Sequence, residues 1–159
     1  SMNVGTFHSV SARILRKEIH MLGYSNDFVI YDQDDSKALV RGVIRDMELD
    51  EKTFVPKAVQ GHISKYKNKM FTPDYVAKIS NGFFDEKISE IYEQYEKNLQ
   101  FNNALDFDDL LLKPLELFNE FPNRLEFYQQ KYGKHCNVCL RYVRVCVCLP
   151  KTLSVMHSV

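Results

Sequence analysis

Apolar positions in this chain recur mostly at helical intervals, so the elements they predict are mainly helices. In HSVSARILRKEIHMLG, Val10, Ile14, Lys17 or Glu18, and Met21 or Leu22 fall on one side, and Gly23 supplies a stop. Arg13, Arg16, Lys17 and His20 share the polar side. DFVIYD is a short apolar run that reads as extended. In DDSKALVRGVIRDMEL, Leu39, Val43 and Met47 lie four apart, with Asp32 or Asp34 as N-cap. PKAVQGHISKYKNKM gives the cleanest stripe: Val59, Ile63, Tyr66 and Met70, with Pro56 in the first turn and His62, Lys65 and Lys69 on the neighbouring polar face.

The second half continues the pattern. Thr72 and Pro73 form an N-cap and first helical position. FFDEKISEIYEQYEKNLQF sets Phe84, Ile88, Ile91, Tyr95 and Leu99 on one face, and orders Glu93 and Lys97 favourably on the other. Asn102 and Asn103 end it. ALDFDDLLLKPLELF starts another helix, which Pro114 is expected to kink or restart. PNRLEFYQQKY adds a last one, with Leu125 and Tyr128 toward the core. From Asn137 the texture changes: VCLRYVRVCVCL alternates and is rich in β-branched residues, which predicts a strand or two. The expected fold is mainly α, with a short C-terminal β-like segment.

Composition narrows the class. The 159 residues are 45% apolar and 26% charged, enough for a real core and inconsistent with wholesale disorder. No apolar run approaches the roughly 20 residues of a membrane-spanning helix. The N-terminus lacks a signal-peptide pattern, and Ser1-Met2 reads as a cloning remnant before an internal fragment. A cytoplasmic setting with reduced thiols is expected, with no membrane partner. Net charge is zero, but the charges are segregated: Asp27 to Glu51 is acidic, Lys57 to Lys69 basic, Asp85 to Asp109 acidic. Such blocks allow a local anion-binding face.

Four groups could carry chemistry. Asp106, Asp108 and Asp109 could bind a hard cation, yet no turn glycine or distal glutamate of a calcium loop follows. A helix start, with Asp106 and Asp109 on one face and the carboxylates complementing the dipole, is the favoured reading. Cys136, Cys139, Cys146 and Cys148 offer four thiolates to zinc, but the second pair lacks a knuckle turn; buried strand cysteines are the favoured alternative. Lys65, Lys67 and Lys69, with Tyr66 between them, could meet phosphates or form a solvated helix face. In GTFHS, Thr6, His8 and Ser9 could bond phosphate oxygens, or Thr6 or Ser9 could cap the first helix. No Gly-rich phosphate loop and no nucleophile elbow occur in the sequence.

GTFHSVSARILR and ALDFDDLLLKPLELF together, with FVIYDQDDSKALVR and FDEKISEIYEQYEKNLQFNN between them, resemble the UvrD/Rep/PcrA type of superfamily 1 DNA helicase. The resemblance runs from about Val4 to Tyr132 in the family's order; Ser11 stands where a cysteine is usual. It implies a helical accessory insertion, called 1B, in the first RecA-like motor domain. It maps Thr6, Phe7, His8 and Ser9 onto the incoming motif along single-stranded DNA, and Asp106, Phe107 and Asp108 onto the outgoing motif near the strand channel. The accessory helices, including Lys65 and Lys69, would touch the duplex near the fork. The implied partners are DNA and the rest of the motor. The parent would use ATP and magnesium, whereas RYVRVCVCLPKTLSVMHSV has no Asp-Glu pair for magnesium. No cofactor and no ATPase activity are therefore expected of this chain itself. The implied organisation is a linker over residues 1–9, an accessory domain over 10–132 and an unassigned Cys-rich tail over 133–159. The alternatives are a helical spacer that binds nothing by itself and a small zinc module.

Overall fold

The computed structural model describes residues 7–132. Thr6, the predicted C-terminal strands and all four cysteines lie outside them. Among the described residues the elements are α1 (Phe7–Glu18), a 3₁₀ turn (Ile19–Leu22), β1 (Val29–Ile30), α2 (Gln33–Asp46), α3 (Pro56–Asn68), α4 (Pro73–Ile79), α5 (Phe83–Phe101), β2 (Ala104–Leu105), α6 (Asp109–Glu120) and α7 (Pro122–Tyr132). The fold is mainly α, as the apolar spacing predicts.

These residues form two compact units, one of residues 7–26 with 110–132, the other of residues 27–109. In the first unit, Ile14 of α1 packs with Leu115, Leu117 and Phe118 of α6 and Tyr128 of α7. Gly23 ends the 3₁₀ turn in the left-handed region, φ 83°, and its N–H donates to the His20 carbonyl. Glycine adopts this conformation without a Cβ penalty.

The second unit is built on α2, α3, α4 and α5. Val40, Val43 and Ile44 of α2, Val59 and Ile63 of α3, Val76 of α4, and Ile88, Ile91, Tyr92, Tyr95 and Leu99 of α5 form its core. The caps explain where its helices begin. The Asp32 carboxylate accepts from the Asp34 and Asp35 N–H groups at 2.9 Å, and Asp35 returns a bond to the Asp32 N–H, a reciprocal capping box. Thr72 Oγ1 accepts from the Tyr75 N–H at 3.2 Å, with Pro73 following. Thr72→Ala is expected to lower stability by roughly 1 kcal/mol, the usual worth of such a cap, measured by urea denaturation.

The ends of this unit meet. β1 and β2 pair in parallel, Val29 opposite Ala104 and Ile30 opposite Leu105. The Asn103 side chain donates to Asp27 at 3.2 Å. Asn103 itself has φ 48°, a left-handed conformation asparagine tolerates, and it turns the chain out of α5. A unit whose first and last residues adjoin can be inserted into a host chain without spreading it.

Four local expectations are corrected. Ala104–Leu105 is a strand, not a helix start; two residues are too few to show a period, and pairing with β1 decides them. α6 runs through Pro114 without restarting, because buried Leu115, Leu117 and Phe118 hold its later turns. Met70 leaves the α3 stripe, being 42% exposed at φ 58° beyond the helix end. Phe84 is half-exposed and stacks on Phe54 at 5.2 Å instead of sitting deep in the core.

Candidate nucleic-acid interface

The LDFDD segment is organised by a buried lysine. Lys67, in the last turn of α3, is only 2% exposed. Its Nζ donates to Asp106 Oδ2 at 2.8 Å and to Asp109 Oδ1 at 2.9 Å. It also lies 2.6 Å from Glu96 Oε1. That buried oxygen has no partner in hydrogen-bond geometry, so Glu96 is held by charge and not by a directed bond. The two aspartates lock each other as well: the Asp109 N–H donates to Asp106 Oδ1 at 2.8 Å, and the Asp106 N–H to Asp109 Oδ2 at 3.2 Å. The Tyr95 hydroxyl donates to Asp106 Oδ2 at 2.9 Å. All four oxygens of the aspartate pair are thus engaged.

The favoured sequence reading stands in part: the aspartates do open α6, with Asp106 and Asp109 on one side and Asp108 elsewhere. Their carboxylates are also turned on an ammonium group, which fills the place a cation would need. Among the described residues no group of three or more His, Cys, Asp or Glu side chains is arranged to hold a metal ion.

The electrostatics follow from burial against charge. Burial disfavours the Lys67 ammonium, but Asp109, Glu96 and Asp106 outweigh it and raise its pKa well above the usual lysine value. Burial would raise the Asp106 carboxyl, but the Lys67 charge and hydrogen bonds hold it below the usual range. Burial, then the Asp106 charge, push the Tyr95 phenol far up, so it remains a donor. A depressed carboxyl contributes stability above its unfolded pKa, about 3.9, and loses that contribution as pH falls through its lower folded value. A raised lysine contributes below about 10.4 and loses its share as pH rises through its higher folded value. The melting temperature is expected to fall on acidification below about pH 4, and less steeply in Asp106→Asn, as followed by circular dichroism.

Two residues lie between the locked aspartates. Phe107 is 41% exposed. Asp108 is half-buried and accepts from the Asn68 side chain at 3.3 Å. They border a shallow cleft lined also by Gln33 and Ser36 of α2 and Gln60 and Ser64 of α3. Lys65 and Lys69 are exposed at the same end of α3, and Lys69 Nζ lies 5.8 Å from the Phe71 ring centroid. Lys67, grouped with them from sequence as a phosphate contact, points inward and cannot serve. The signal that could have shown this is its place on the apolar stripe, four residues after Ile63 and eight after Val59.

His8 and Ser9 are exposed in the first turn of α1, in the other unit. Phe7 opens that helix. In the same unit, buried Glu18 accepts from the Arg124 guanidinium and, at 2.8 Å, from the Tyr128 hydroxyl. Burial works to raise the Glu18 carboxyl, but these bonds hold it low. This tie between α1 and α7 was not foreseen, although a glutamate alternating with lysine at the apolar position of α1 hinted at it.

The two segments carrying the helicase resemblance therefore lead into helices that share one core, and the ends of the span between them pair as β1 and β2. Residues 1–135 match the family model of the UvrD/REP helicase N-terminal domain. The chain belongs to that family. It is 39% identical over 129 residues to the ATP-dependent DNA helicase PcrA of Bacillus subtilis, covering 81% of this chain and 18% of that protein. Identity is 37% to PcrA of Staphylococcus epidermidis and 36% to PcrA of Staphylococcus aureus, with the same coverage. The chain thus spans about a fifth of the length of these curated relatives. Among the described residues no helix is long and apolar enough to cross a membrane.

Proposed function

We propose that this chain is the DNA-contacting accessory region of an ATP-dependent superfamily 1 DNA helicase. Residues 27–109 act as its 1B-like insertion, and the flanking helices join that insertion to the motor. The observation that carries the reading is the outward Phe107–Asp108 turn, held between locked aspartates within the family's LDFDD segment. An exposed aromatic there offers a stacking face to an unpaired base, worth about 1–3 kcal/mol in comparable single-strand sites. Lys65 and Lys69 supply phosphate contacts to the duplex near the fork, and Thr6, Phe7, His8 and Ser9 line the incoming strand. ATP and magnesium belong to the parent enzyme. This chain has no phosphate loop, and the acidic pair Asp106 and Asp109 is committed to Lys67, so ATP turnover by the chain alone is not expected.

Fluorescence anisotropy with a forked DNA tests the reading. Binding is expected at low salt and weakens as salt rises, with a log–log slope reduced by about 2 when Lys65→Glu and Lys69→Glu are combined. No binding at low or moderate salt would leave the chain as a spacer within its helicase.

A further inference from the structure

We propose that Lys67 is a positioning residue that holds the Phe107–Asp108 tip in place by gripping the aspartates on both sides of it. The inference rests on the DNA-contact reading for its purpose, but its geometry stands by itself. Nζ reaches Asp106 at 2.8 Å and Asp109 at 2.9 Å, so one ammonium group spans the turn that carries the tip. The aspartates' reciprocal bonds to each other's N–H groups complete a closed ring around Phe107 and Asp108. Next to Lys67, Asn68 donates to Asp108 at 3.3 Å, so adjacent residues of α3 hold three positions of the turn. The neighbouring Lys65 and Lys69 point outward from the same helix end. One helical turn thus presents cations to solvent while fixing where the aromatic tip stands.

Removing the ammonium takes away the cation that Asp106, Asp109 and Glu96 share. Like carboxylates at such range repel unless they take up protons or move apart. Separation of Asp106 and Asp109 opens the ring, and the tip loses its fixed position. Lys67 reaches no solvent, so it contributes no phosphate contact of its own. Its influence on DNA would pass entirely through Phe107 and Asp108.

The sequence contains no tryptophan, so Phe107→Trp makes a single indole reporter in the full chain. Time-resolved fluorescence anisotropy of this protein is expected to show overall tumbling with little local motion. Adding Lys67→Met is expected to introduce a fast component of several-fold larger amplitude, with far-UV helicity retained. Asp109→Asn, which removes one grip while keeping the side-chain shape, serves as the milder second variant and is expected to loosen the tip in the same direction. An unchanged anisotropy decay in the folded variants would overturn the proposal. So would loss of helicity in both variants, which would make the role purely structural.

Binding of a single-stranded oligonucleotide supplies the second readout. Lys67→Met is expected to weaken it about as much as Phe107→Ala, on the order of tenfold, and to add nothing in the Phe107→Ala background. The salt slope is expected to stay unchanged, and a slope lowered by about 0.7 would show a direct phosphate contact and overturn the assignment. A tip that loosens in a chain whose parent form binds no DNA would uphold the positioning role and refute the DNA-contact reading.

Discussion

Lys67→Met is expected to destabilise the 27–109 unit by about 3–5 kcal/mol, the usual consequence of removing one partner from a buried ion pair. Methionine roughly matches the lysine stem in length, so packing alone would be little disturbed. The loss comes from Asp106, Asp109 and Glu96, which would lose the Lys67 charge they share. The sign with pH is distinctive. Protonating the carboxylates relieves the repulsion, so the variant's deficit should shrink as pH falls from 7 toward about 4, above the range in which the wild type loses its own carboxylate contribution. Urea unfolding at the two pH values checks this, and an equal deficit at both would argue that shape, not charge, makes Lys67 important.

Ile91→Ala is expected to cost about 2–5 kcal/mol through lost burial and the cavity left behind. Ile91 has no solvent exposure and belongs to the cluster that joins α2, α3, α4 and α5. Close-packed interiors relax only partly around a removed side chain, so the cavity adds to the transfer loss. The variant should unfold at lower urea with an unchanged slope against denaturant, because the surface exposed on unfolding is nearly the same. In contrast to Lys67→Met, its deficit should not depend on pH between 4 and 7. The pair of variants therefore separates apolar from ionic contributions within one core.

Much of the fold was legible in the sequence because its helices announce themselves twice, by period and by punctuation. Thr72-Pro73 and Asp32 mark helix starts, Gly23 and Asn102-Asn103 mark stops, and all act where expected. What escaped depends on distant partners. β2 exists because Val29 and Ile30 lie beside Ala104 and Leu105, more than seventy residues on, and no local pattern encodes that. Lys67 reads locally as one more cation in a basic run. Only the fold brings it to Asp106 and Asp109, thirty-nine and forty-two residues away. Glu18 likewise gains its burial from Arg124 and Tyr128 across the chain.

The same distant contacts give the candidate interface its form. A flexible LDFDD loop could offer Phe107 to a base only after the loop had been ordered, and that ordering would weaken binding. Here the turn is held by the Lys67 ion pairs and by the reciprocal bonds of Asp106 and Asp109. The β1–β2 pairing adds a second constraint, since it sets the two ends of the 27–109 unit side by side.

Photo-crosslinking of a single-stranded oligonucleotide containing 4-thiothymidine to the full chain, followed by peptide mapping, tests the central claim most directly. The account predicts an adduct on the peptide that contains Phe107, diminished by Phe107→Ala and by competing unmodified strand. Adducts confined to other surfaces, with none at the Phe107 peptide, would contradict it.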